Sequence, residues 1–200
     1  MRKKITTKKT NKYKQAIIIC HGQSEYFLSQ HLCSLLRLSV VTYAEQNGKS
    51  SIQINSINRC LYNKIFATKG NLLKHYSIKT NKNTINPNFK IFIIMDTDDI
   101  ELTERDIENF KNKRMFRDHW AYDYIVPIFN TRNLEDVLLK AKIIDKIFEN
   151  KNMYAKIFPI NRNSSVEDAE QVRNMLKTLQ PIINTNMDNL LEYLLKLYKN

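Results

Sequence analysis

Two hundred residues, 42% of them apolar, suffice for one domain with a proper core. A formal charge of +12 points to a polyanionic partner, most often nucleic acid, although a chain this rich in Asn, Lys and Ile carries surplus lysine in any case. The glycines, Gly22, Gly48 and Gly70, make neither glycine-rich phosphate cradle, which argues strongly against a P-loop ATPase or a standard dinucleotide-binding enzyme.

Residues 1–14 are polar and cationic, with Arg2, Lys3, Lys4, Lys8, Lys9, Lys12 and Lys14, and read equally as a flexible phosphate-touching arm or a tail with no partner. No signal core follows, and no stretch approaches the ~20 apolar residues of a membrane span, so a cytoplasmic protein with no membrane partner is expected. Cys20, Cys33 and Cys60 fit no zinc spacing and read as reduced thiols. The apolar run at 16–20 predicts a strand buried on both faces. Gly22 permits a tight turn, and helical spacing follows over 23–38. A second strand is expected at 51–55, then a helix over 56–77 that Gly70 can break, then a loop at 81–88. Residues 90–95 predict the clearest strand. A helix starts near Thr103 as N-cap with Asp106 in its first turn. A strand is expected at 122–127, a turn at 130–133 and a helix over 134–149. Ser164-Ser165-Val166-Glu167 reads as a capping box opening a helix to about Leu179, and a last amphipathic helix covers 187–198.

Strands alternating with helices predict an α/β sandwich with a mainly parallel sheet and an additional helical C-terminal part. The expected organisation is a basic arm at 1–14, an α/β domain over 15–148 and a helical extension over 149–200 packed on the same domain. In such sheets ligands bind beyond the carboxyl ends of the strands. Two polar constellations fall there: His21 to Glu25, and Asp96-Thr97-Asp98-Asp99. In extended backbone Asp96 and Asp98 point the same way and can share a cation, with Asp99 as a further ligand or outer partner. Hard oxygen donors suit Mg²⁺ or Mn²⁺, which can polarise a phosphate and activate water. The plainer account is that Asp98 or Asp99 turns the chain after a strand.

The stretches Ile17-Ile-Ile-Cys-His-Gly-Gln-Ser-Glu-Tyr-Phe27, Ile91-Phe-Ile-Ile-Met-Asp-Thr-Asp-Asp99 and Pro127-Ile-Phe-Asn-Thr-Arg-Asn-Leu-Glu-Asp-Val-Leu-Leu139 resemble the Toprim domain, nearest its RloB-like branch. The resemblance covers roughly residues 16–145 and implies a Toprim-like fold, a Mg²⁺-dependent nuclease and a place in bacterial anti-phage defence, with another defence protein as a possible partner. Toprim enzymes usually carry Glu just before the glycine; here His21 stands there. A His can bind metal or move a proton near neutral pH but brings no fixed anionic charge. Glu25 matches the second acidic position, one helical turn on. Glu135 lies where the branch places an acid, and reads equally as a helix N-terminal carboxylate.

Residues 111–120 interleave cations with aromatics. Lys111, Lys113, Arg114 and Arg117 are expected to bind nucleic acid, RNA or DNA, whereas Phe116 and Trp120 are expected in the core. The leading reading, which the resemblance implies, is a metal-dependent nuclease using His21, Glu25, Asp96 and Asp98. The alternatives are a catalytically degenerate nucleic-acid-binding module and, last, a phosphatase-like enzyme with Asp96 as nucleophile, whose usual downstream Lys and second acidic pair are not evident.

Overall fold

A computed structural model describes residues 13–148 and 166–199. In chain order the elements are β1 (Ala16–Cys20), α1 (Gln23–Leu35), β2 (Val40–Tyr43), α2 (Ile57–Leu61), α3 (Lys69–His75), β3 (Thr80–Asn81), β4 (Thr84–Ile85), β5 (Lys90–Asp96), α4 (Glu104–Lys111), β6 (Ile125–Asn130), α5 (Leu134–Lys140), α6 (Asp168–Leu179) and α7 (Met187–Lys199). The protein is α/β: one parallel sheet in the order β2-β1-β5-β6, with helices on both faces.

The two most apolar strands are the inner pair, in register Ile17 to Ile91 and Cys20 to Ile94. All five residues of β1 are fully buried. Each buried Ile contributes on the order of 1.5–3 kcal/mol, so these runs are stable only with both faces covered. Ile18, Cys20, Phe92 and Ile94 face one layer, with α1, α5, α6 and α7. Ile17, Ile19, Ile91, Ile93 and Met95 face the other, with α2, α3 and α4. The helical C-terminal part therefore shares a core with the first layer. Among the described residues no helix is long and apolar enough to cross a membrane.

Several elements differ from expectation. The second strand is Val40–Tyr43; residues 51–53 are irregular and Ile54–Ser56 is a 3₁₀ turn. Ile52 and Ile54 are both buried, so their alternation met a packing need without a ladder. The helix expected over 56–77 is two helices broken at 62–68, with Gly70 inside α3 rather than at the break. The expected loop at 81–88 holds a hairpin, whose central Lys82 and Asn83 have φ of 45° and 63°, the signature of a type I′ turn. The strand expected at 122–127 is displaced to Ile125–Asn130, after a 3₁₀ turn. Helix α5 is seven residues, shorter than its hydrophobic period. Thr103 caps α4 as expected, its hydroxyl oxygen accepting Asp106 N–H at 3.2 Å. Helix α6 begins at Asp168; Ser164 and Ser165 lie outside the described residues, as does the arm up to residue 12. Lys14 is bridged to Ile78.

Candidate metal centre

Cys20 ends β1 and Asp96 ends β5, so the chain leaves the two central strands side by side. Gly22 opens α1 in extended conformation, and Glu25, three residues on, reaches back so that Oε2 accepts Gly22 N–H at 2.9 Å. An acid in a first helical turn is also favoured by the exposed N–H groups there. Alternation along β5 turns Asp96 to the α1 side of the sheet, the side of Phe92 and Ile94. There α5 brings in Glu135, whose Oε1 accepts the Ser24 hydroxyl at 2.7 Å. One carboxylate oxygen from each of Glu25, Asp96 and Glu135 lies within 4.8 Å of the others, and all three residues are buried.

The three acids line a cleft of about 240 Å³ with His21, Ser51, Asp98 and Asn133. Glu25 Oε1 is buried without a hydrogen-bond partner. Asp96 Oδ1 accepts Asn130 Nδ2 at 3.0 Å. Asn130 Oδ1 in turn accepts the Thr185 hydroxyl at 2.8 Å, and Thr185 Oγ1 accepts Met187 N–H at 3.1 Å. This chain ties the start of α7 to Asp96. Burial raises the Glu25 pKa; His21 and backbone N–H bonds pull it down, and Glu135 pushes it up. Burial likewise holds Asp96 well above the usual carboxylate range, with Glu25, Glu135 and Asp98 adding to the rise and Asn130 opposing it. Among the described residues neither Glu25 nor Asp96 pairs with a Lys or Arg. Two buried acids without such a counter-charge, beside a third, are balanced by a shared proton or by a cation. Hard oxygen donors and an unclaimed Glu25 oxygen fit Mg²⁺ or Mn²⁺.

The other expected site residues are placed differently. His21 lines the cleft, with Nδ1 2.8 Å from the Ile52 carbonyl. A carbonyl only accepts, so Nδ1 carries the proton and Nε2 keeps a lone pair in the neutral ring. Asp98 lines the cleft but is exposed, and its Oδ2 accepts Asn133 Nδ2 at 3.1 Å. Asp99 is outside the cleft lining and accepts Glu101 N–H at 3.0 Å, a turn contact. The close triad is thus Glu25, Asp96 and Glu135, with Asp98 and His21 beside it. Ser24, Asn130 and Thr185 were not singled out from sequence; each is a small polar residue whose partner is remote or on another element.

The basic segment lies in the other layer. Phe110 and Phe116 are buried against the opposite sheet face, and Trp120 is half-buried, donating Nε1–H to Phe66 O at 2.7 Å. Lys111 Nζ sits 4.3 Å from the centre of the Phe129 ring and Lys113 Nζ 4.5 Å from that of Tyr122. Arg114 and Arg117 are exposed. Burial raises the pKa of all three thiols, Cys33 and Cys60 to about 12, which leaves them protonated and poor nucleophiles at neutral pH.

No protein-family model matches the chain, and comparisons with curated proteins and with solved structures found no significant match.

Proposed function

We propose that the protein is a Toprim-like, Mg²⁺- or Mn²⁺-dependent nuclease of the RloB-like kind, cytoplasmic and acting in bacterial anti-phage defence. The observation that carries the nuclease reading is the meeting of Glu25, Asp96 and Glu135 beyond the strand ends, with one buried oxygen unclaimed. The defence role rests on the sequence resemblance. In this reading Glu25, Asp96 and Glu135 hold the cation, with Asp98 at the cleft mouth. When bound, the cation supplies Lewis acidity toward a phosphoryl oxygen. Ser24 and Asn130 each fix one carboxylate by a hydrogen bond, which keeps the oxygen donors in place before substrate arrives. His21 Nε2 is the atom that takes a proton from attacking water, its ring oriented by the Nδ1–H bond to Ile52.

The test is cleavage of RNA and DNA with Mg²⁺ or Mn²⁺, alongside cation binding by calorimetry. Glu25→Gln, Asp96→Asn and Glu135→Gln should each lower cleavage at least about 100-fold and weaken cation binding, with the fold retained. Unchanged cleavage in all three removes the reading. One observation favours a second reading, a degenerate nucleic-acid-binding module: His21 stands where the resembled domain carries Glu. Salt-sensitive binding with no cleavage in any metal selects that module. His21→Glu then separates decay from adaptation, since it restores activity only at a decayed site.

A further inference from the structure

Residues 46–95 contain eight Lys or Arg and no Asp or Glu. By contrast, residues 166–199 carry five acids and four Lys or Arg. The acid-free stretch supplies α2, α3 and the β3-β4 hairpin, all on the sheet face opposite the acid triad. Within it lies an open groove of about 750 Å³ lined by Asn63, Lys64, Ile65, Asn71, Lys74 and His75. Lys64, Lys74 and His75 are exposed, and among the described residues neither lysine pairs with a carboxylate.

Tyr62 comes just before these residues and is 55% exposed. Its ring meets His119 edge-on, with centroids 5.2 Å apart and planes at 90°. His119 is itself buried, with Nε2 3.2 Å from the Leu61 carbonyl and Nδ1 accepting Ala121 N–H at 3.3 Å. Tyr62 is thus an aromatic surface with a fixed backing, next to unpaired cations. A duplex offers phosphates but hides its base faces. A single strand offers both, and base stacking on an exposed ring is tolerant of sequence.

We propose that this groove, with Tyr62 beside it, is a binding site for single-stranded nucleic acid, separate from the acid cleft. The proposal extends the nuclease reading to its substrate class. Residues 51–54 link the two sides of the sheet: Ser51 lines the cleft and Ile54 packs in the groove's layer.

The full chain is titrated in EDTA, by fluorescence anisotropy, with single strands of roughly 20 nucleotides, RNA and DNA, and with a duplex of the same length. Both single strands should bind within about tenfold of each other, and the duplex about tenfold more weakly, because phosphate and stacking contacts read neither base nor sugar. Lys64→Gln with Lys74→Gln should lower the salt slope by roughly 0.7 for each phosphate no longer neutralised. Tyr62→Ala should weaken binding about fivefold or more, and Tyr62→Phe should restore it, with thermal midpoints unchanged. Equal duplex binding, displacement by polyglutamate as readily as by single strands, or variants that bind like wild type would overturn the proposal. Because EDTA removes the cation, binding without any cleavage when metal is restored leaves this site standing and defeats the nuclease reading. Cleavage that survives loss of the groove does the reverse.

Discussion

Glu25 and Asp96 are acids that the fold holds at a cost. Both pKa values are raised, chiefly by burial. The folded chain therefore keeps protons that the unfolded chain releases above the ordinary carboxylate range of about 4. Cation-free protein should be most stable in mild acid and lose stability as pH rises through the folded values. Glu25→Gln should raise the thermal midpoint at pH 7, by roughly 2–4 °C per kcal/mol of repulsion relieved, and change little near pH 4. Differential scanning calorimetry at the two pH values checks this; an equal shift at both would mean that charge is not the cause. Added Mg²⁺ should offset the same loss in wild type. Gly48 is constrained for a different reason. Its φ is +85°, and a Cβ there would lie 2.6 Å from the Gln23 Cα. Gly48→Ala forces apart the turn and the start of α1, so a loss on the order of 1–3 kcal/mol is expected in urea unfolding.

At the scale of elements, the start of α7 bears on the acid cleft through Thr185 and Asn130. Thr185→Val removes the hydroxyl but keeps the shape, so Asn130 loses the partner that orients its amide toward Asp96. Calorimetry should show cation affinity down by about tenfold or more, with Thr185→Ser near wild type. The inner strands were legible because only a strand buried on both faces sustains runs like 16–20 and 90–95. Strand β2 was not: its four residues are all half-buried at the sheet edge, and no apolar run marks them. Asp96 and Glu25 could be read from their places after strong strands. The role given to Asp98 assumed extended backbone past Asp96, but β5 stops at Asp96, and Asp98 turns out toward Asn133. Glu135 had only a short motif to mark it. Its approach to Ser24, 111 positions away, depends on how β5 and β6 are ordered in the sheet.

For the molecule as a whole, the sheet separates two features: buried acids on one side, and on the other the surface supplied by the acid-free stretch 46–95, next to α4 with its own Glu104, Asp106 and Glu108. Arg114 and Arg117 belong to the second side and are exposed, whereas Lys111 and Lys113 lie over aromatic rings. Arg114→Glu with Arg117→Glu should weaken nucleic-acid binding and flatten its salt dependence, while calorimetric cation affinity at the cleft stays unchanged. A parallel change in both would tie the two sides into one site. The pairing of β1 with β5 also dictates an order of events during synthesis. Residue 16 meets residue 90, so the first strand must wait for some seventy further residues to emerge before its neighbour exists, and closing that loop is slow. Glu135 emerges later still. A nascent chain therefore holds Glu25 and Asp96 before α5, α6 and α7 exist to cover their side of the sheet, and the acid cluster assembles only as that face closes.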